Sequence, residues 1–272
     1  MASDPRAALV IGGSGGLGRA IARRLGAEGW RLGLVGRDAR RLDEARMDLA
    51  EVQVDLVGVW RADVRETDGI GRVIGEFAGR AGRMDALIYA AGRLSGIGPL
   101  ESLDSELAWE DVVTSLKGFA NAVRAALPQL RQTGGSITTL IGPGYNGELA
   151  HASLYAAAQA GLARLVESLA REIALADVVV YAVYPGVTPT PFMQRLLDEP
   201  ESRRWLPRFT EAFAEGKEVE PAVGAEMVAW LAREQPTALS GRVIPALQTP
   251  DLLKARLGHY ARDGELGRLR LR

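Results

Sequence analysis

Ala7-Ala8-Leu9-Val10-Ile11-Gly12-Gly13-Ser14-Gly15-Gly16-Leu17-Gly18 carries an apolar run into a glycine-rich turn, and an amphipathic stretch from Arg19 to Glu28 follows. Strand, glycine turn and helix in that order are what a dinucleotide pyrophosphate needs. Glycine lets the backbone come close to the phosphates, and the positive end of the following helix stabilises their charge.

Outward from this unit the same alternation continues. Strand-like runs lie at 7–12, 31–36, 56–62, 85–90, 135–141, 177–183 and 241–246. Helical patterns fill 17–28, 39–51, 67–80, 106–130, 152–174 and 222–233. Leu34-Val35, Leu87-Ile88 and Val178-Val179-Val180 are continuously apolar, as strands buried on both faces are. The pattern predicts one α/β domain, doubly wound, with a mostly parallel seven-stranded sheet and helices on both faces.

Composition narrows the function classes. At 272 residues, with 47% hydrophobic and 25% charged residues, the chain reads as an ordinary globular domain. A formal net charge of −1 gives no global field for nucleic acid or membrane, so neither is expected as a partner. The absence of cysteine excludes disulfides, thiolate metal sites and a cysteine nucleophile, and with only His151 and His259 no metal site is expected. The start, Met-Ala-Ser-Asp-Pro, lacks the charged and apolar segments of a secretory signal, and no apolar run nears the ~20 residues that span a bilayer. A cytoplasmic location is expected.

Two segments stand outside the alternation. Residues 187–217, rich in Pro, Glu and Arg, fall where a lid would cover the carboxyl ends of the last strands, although an ordinary surface insertion would read the same way. Residues 247–272 form a C-terminal extension carrying Lys254, Arg256, Arg262, Arg268, Arg270 and Arg272. With few aromatics interleaved, this reads as a solvated helical tail or subunit contact.

Several segments, in order, resemble the short-chain dehydrogenase/reductase family over roughly residues 5–246. The Gly12…Gly16-x-Gly18 spacing is similar to that family's glycine motif, and Asp63-Val64 to its adenine-contacting step. Tyr89-Ala90-Ala91-Gly92 stands where the family has Asn-Asn-Ala-Gly. Tyr184-Pro185-Gly186-Val187-Thr188-Pro189-Thr190 resembles the segment beside the nicotinamide. Gly134–Ile137 and Ser240–Ile244 resemble the entries to two later strands. The resemblance implies a Rossmann-type domain over 1–246 that binds a nicotinamide dinucleotide and a small-molecule substrate. Its implied cofactor contacts are Gly12, Ser14, Gly15, Gly16, Leu17, Gly18, Arg37, Asp63, Val64, Ala90, Ala91, Gly92, Tyr155, Gln159, Pro185, Gly186, Val187 and Thr190. It also implies a homodimer or homotetramer built through the helices 106–130 and 152–174.

NADP(H) rather than NAD(H) is predicted. An NAD site carries an acidic residue about twenty positions after the glycines to hold the ribose 2′-hydroxyl. Gly36 occupies that position here and Arg37 follows it, a residue that pairs bidentately with a 2′-phosphate.

The family's chemistry uses Asn, Ser, Tyr and Lys, and the resemblance carries over one of them intact. Tyr155 opens Tyr155-Ala156-Ala157-Ala158-Gln159, where the family has Tyr-x-x-x-Lys, so Gln159 stands at the Lys position. Gly142 stands at the Ser position and Ser115 at the Asn position, the latter with one residue fewer than the usual spacing. An ammonium ~4 Å from a phenolate is worth roughly 4 kcal/mol at an effective dielectric near 20, so its loss leaves Tyr155 protonated near neutral pH. A protonated Tyr still donates in carbonyl reduction but is a poor base for alcohol oxidation. Tyr145 and Ser153 are candidates for a replacement hydroxyl and Lys117 for a relocated cation, whereas Thr138 lies too far along its strand. Three functions follow from this pattern: a reductase of carbonyls or enones with a rearranged site, a redox-impaired cofactor-binding subunit or sensor, and non-redox chemistry in a repurposed pocket.

Overall fold

Side chains alternate along the first strand, β1 (Ala7–Ile11). Leu9 and Ile11 enter one hydrophobic cluster, and Ala8 and Val10 enter another across the sheet. Every residue of the strand is buried, so helices must cover both faces. The computed structural model describes residues 4–270; Arg272 lies outside them, as do the first three residues.

The first half of the chain adds α1 (Gly16–Ala27), β2 (Arg31–Gly36), α2 (Ala39–Glu51), β3 (Leu56–Arg61), α3 (Thr67–Ala81) and β4 (Ala86–Tyr89). Next come α4 (Ser105–Val112), α5 (Gly118–Thr133), β5 (Ser136–Leu140), α6 (Ser153–Glu172) and β6 (Val179–Tyr184). The last elements are α7 (Pro191–Asp198), α8 (Pro200–Trp205), α9 (Pro207–Ala214), α10 (Pro221–Glu234), β7 (Val243–Pro245) and α11 (Pro250–Arg262).

The sheet order is β3-β2-β1-β4-β5-β6-β7, and every neighbouring pair is parallel. The doubly wound expectation holds, with a fully parallel sheet. Residues of α3, α5 and α6 cover one face, and residues of α1, α2, α10 and α11 the other. Chain order reverses between β1 and β4, and the crevice at such a switch point is where open α/β sheets bind ligands.

Three sequence expectations are corrected. The single helix over 106–130 is α4 and α5 joined through a π turn, Val113–Lys117. The 187–217 segment contains three short helices. Pro191, Pro200 and Pro207 each sit at a helix start, where a missing N–H costs nothing, so prolines that read as loop residues are initiators. The extension from 247 is docked, not merely solvated. The Arg242 guanidinium donates to the carbonyls of Ala238, Tyr260, Asp263 and Leu266, and Leu253 and Tyr260 are buried. Among the described residues no helix is long and apolar enough to cross a membrane.

Candidate active site

The carboxyl ends of the central strands open into a cavity of about 910 Å³ that runs from β2 to the α7 insertion. Its floor is the glycine turn. Gly12 has φ +83°, and its N–H and that of Gly13 both donate to Val35 O, at 2.8 and 3.1 Å. A Cβ on Gly18 would lie 2.2 Å from Gly12 O, and one on Gly12 would lie 2.7 Å from the Ala90 backbone. The turn is therefore pressed against both its own helix and the end of β4. Gly15 at the N-cap of α1 offers no side-chain cap, and the first turn carries no acid. The N–H groups of that helix start are not capped by a side chain of Gly15 and can serve an anion.

At the β2 end, a Cβ on Gly36 would meet Ser14 Oγ at 2.6 Å, so the position that holds an acid in an NAD site has little room for one. Arg37 is half-exposed there, with Nη1 3.9 Å from Asp63 Oδ2, and Arg40, Arg41 and Arg61 line the same end. Asp38 is occupied as the N-cap of α2, accepting from Arg41 N at 3.0 Å. That bond holds its carboxyl below the usual range. Burial opposes ionisation of Asp63, yet hydrogen bonds from the Arg65 side chain and backbone keep its pKa low as well.

At the other end, Tyr155 is buried in the first turn of α6. Its hydroxyl lies 1.9 Å from where a Cβ on Gly142 would stand, so the phenol occupies the space a serine side chain would need. Gln159, one turn further along α6, bridges the two other positions. Its Oε1 accepts from Gly142 N at 2.8 Å, and its Nε2 donates to Ser115 Oγ at 3.4 Å. Ser115 is placed by the π turn, a local widening of the helix often found at functional sites. There the Tyr89 hydroxyl donates to Thr114 O at 2.5 Å, and a Cβ on Gly118 would lie 2.3 Å from that hydroxyl. Burial pushes the Tyr155 pKa well above the usual phenol range, and the nearby Asp111 carboxylate and Tyr184 add to the rise.

The cavity thus brings together Gly12, Ser14, Gly15, Gly16, Leu17, Gly18, Arg37, Asp63, Val64, Ala90, Ala91 and Gly92 with Ser115, Gly142, Tyr155, Gln159, Pro185, Gly186 and Thr190. Val187 is the exception. It packs with the apolar cluster under α7–α9, and its carbonyl accepts from Val219 N at 2.7 Å. The candidate substitutes fall elsewhere. Tyr145 stacks on Tyr184 at 5.5 Å, Ser153 is exposed at the start of α6, and Thr138 is buried within β5. Lys117 is exposed at the end of the π turn. Arg93, Thr188, Phe192, Met193 and Arg195 of the lining fall in the loops 93–100 and 187–217 from which a substrate pocket is expected, whereas sequence reasoning missed Arg40, Arg41, Arg61, Thr114 and Leu162.

A family model described as short chain dehydrogenase matches residues 6–201. The chain belongs to the short-chain dehydrogenase family. Among relatives of this chain, a putative ketoacyl reductase of Streptomyces coelicolor is 34% identical over 239 residues, 84% of this chain and 90% of the relative. The 3-oxoacyl-acyl-carrier-protein reductase FabG of Staphylococcus aureus is 30% identical, covering 88% of this chain and 95% of its own. Among solved structures, a variant of actinorhodin polyketide ketoreductase with NADPH superposes with TM-score 0.81 at 30% identity, over 90% of this chain and 97% of that chain.

Proposed function

We propose that this family member binds NADP(H) and reduces a carbonyl or enone of a small molecule, with Tyr155 as proton donor. One observation carries the reading: the uncharged phenol of Tyr155 and the glycine turn with its open helix start line a single cavity. Relatives named as ketoacyl reductases and a neighbour solved with NADPH support the same chemistry. The glycine turn and α1 would hold the pyrophosphate, Asp63 and Val64 the adenine, and Arg37 the 2′-phosphate. Ala90–Gly92, Pro185, Gly186 and Thr190 would flank the nicotinamide half, and Gln159 would offer its amide where the family's Lys holds a ribose. When bound, the nicotinamide supplies the hydride. Tyr155 gives its proton to the substrate oxygen and is reprotonated from solvent.

NADPH consumption across ketones, β-ketoacyl thioesters and enones, with calorimetry of NADPH alone, tests the reading. Turnover with binding supports it, and absence of binding rejects it. Binding without turnover on any substrate favours a redox-silent cofactor-binding subunit. The observation behind that second reading is Gln159, with its oxygen committed to Gly142 and its nitrogen to Ser115.

Selectivity for the phosphorylated cofactor has its own test. A hydrogen bond to a charged group contributes about 1.5–3 kcal/mol, so Arg37→Ala is expected to weaken NADPH roughly 10–150-fold. NADH affinity should move less than about threefold, since it has no 2′-phosphate to lose. Equal losses for both would show that Arg37 acts on something the two cofactors share. Assembly through α4, α5 and α6 belongs to the same reading. It is supported by the exposed Leu107 and Trp109 on α4, and light scattering measures it.

A further inference from the structure

Asp111 is fully buried at the end of α4, and the proton chemistry above does not use it. Its Oδ2 accepts two backbone N–H groups, Ser95 at 2.8 Å and Gly96 at 3.0 Å. Its Oδ1 is buried without a hydrogen bond, with Arg93 Nε 3.5 Å away. Arg93 is held in turn by Glu110 at 2.5 Å and donates to Ser95 Oγ at 2.8 Å. A Cβ on Gly96 would lie 2.8 Å from the Ala108 Cβ, so the segment is pressed flush against α4. On its other side the same segment sends Leu94 and Ile97 into the apolar cluster that contains Tyr155, Met193 and Phe209.

A buried carboxylate is a costly way to hold a loop, because each charge taken from water must be recovered in hydrogen bonds and pairing. Burial does push its pKa up, while the two N–H groups and Arg93 pull it down. What the arrangement achieves is geometry. Consecutive amides are turned toward α4, which forces the flanking Leu94 and Ile97 toward Tyr155. We propose that Asp111 is a positioning residue for the substrate end of the cavity, fixing residues 93–98 as the wall that packs beside Tyr155. The role in turnover rests on the reductase reading above; the role in holding the wall does not.

The test uses the full chain and three variants: Asp111→Ala, Asp111→Asn and Arg93→Met. In Asp111→Ala, amide exchange at Ser95 and Gly96 should accelerate at least about tenfold, with α4 amides unchanged. KM for the carbonyl should rise about tenfold or more, with kcat within about threefold, because ground-state and transition-state binding are lost together. The NADPH Kd should stay within about twofold, since Asp111 lies outside the cavity lining. Asp111→Asn keeps a carbonyl oxygen for the two amides and should hold the wall, so exchange at Ser95 and Gly96 stays slow. Arg93→Met leaves those amides bonded but frees the cation's contacts, raising KM by about threefold. Unchanged exchange in Asp111→Ala overturns the proposal, as does a loss of NADPH affinity matching the rise in KM. Should Asp111→Ala fail to fold, the proposal falls if Asp111→Asn also speeds exchange throughout α4. If the unaltered chain binds NADPH but reduces nothing, the reductase reading falls, and the exchange measurements still decide whether Asp111 holds the wall.

Discussion

Tyr155→Phe is expected to lower kcat for NADPH-dependent reduction by about 100-fold or more, the usual scale of a positioned general acid. The NADPH Kd should change by no more than about tenfold, the worth of one hydrogen bond of about 0.5–1.5 kcal/mol. The separation is expected because the ring stays and only the hydroxyl goes. Phe fills the same buried volume at the start of α6 and leaves the Gln159 bridge to Gly142 and Ser115 in place. The pH dependence has a definite sign. Burial and the neighbouring Asp111 carboxylate raise the Tyr155 pKa, so the protonated donor persists above the pH at which an ordinary phenol ionises. Between about pH 7 and 10 the reductive rate should not fall through loss of the Tyr155 proton, whereas alcohol oxidation, which needs the phenolate, should stay slow throughout. Steady-state rates in both directions measure this. A Tyr155→Phe enzyme with unchanged kcat, or a fast oxidative direction at pH 8, contradicts the assignment.

The layout of this molecule was legible where one local rule acted alone. β1, its glycine turn and α1 could be placed because apolar runs, close backbone approach and helix starts are all local properties. Tyr155 and Gln159 were legible because four residues apart on a helix fixes a shared face. The π turn was not, since Val113–Lys117 has ordinary helical composition. The contact that accompanies it is remote in sequence: the Tyr89 hydroxyl, from β4, donates to the carbonyl of Thr114. The helices after Pro191, Pro200 and Pro207 were hidden for a related reason, because proline punctuates a loop and starts a helix with the same residue. Tyr145 illustrates the limit on side chains. Its place near Gly142 in sequence suggested a hydroxyl for the site, but aromatic packing on Tyr184 decides where the ring goes. The Arg93–Asp111 pair joins a loop to a helical residue eighteen positions on, a tertiary fact that no period or motif encodes.

Gly142→Ser alone is expected to lose activity and stability, although it restores the residue type that the family places there. Its Cβ would enter the space held by the Tyr155 hydroxyl, 1.9 Å away, so the phenol must move. Overpacking of this kind costs about 1–3 kcal/mol, or several degrees in Tm. Gln159→Lys alone also loses, because Gly142 N–H is left without its acceptor and an ammonium is buried in its place, a penalty of at least about 1–3 kcal/mol. Together the two substitutions are expected to do better than either. The ammonium offers the neutral phenol oxygen a charge-assisted hydrogen bond of about 1.5–3 kcal/mol, comparable to the overpacking cost. Once the phenol ionises, the pair is worth roughly 4 kcal/mol at ~4 Å and an effective dielectric near 20. The attraction draws the Tyr155 ring off residue 142 and makes room for the serine. The double variant should therefore show a coupling energy above about 1 kcal/mol in a thermal-melt cycle. Its turnover should exceed that of the unaltered chain, and its phenol should ionise at lower pH. A double variant no better than Gly142→Ser would mean that Tyr155 cannot withdraw, and that the pocket has been built around the position its hydroxyl now holds.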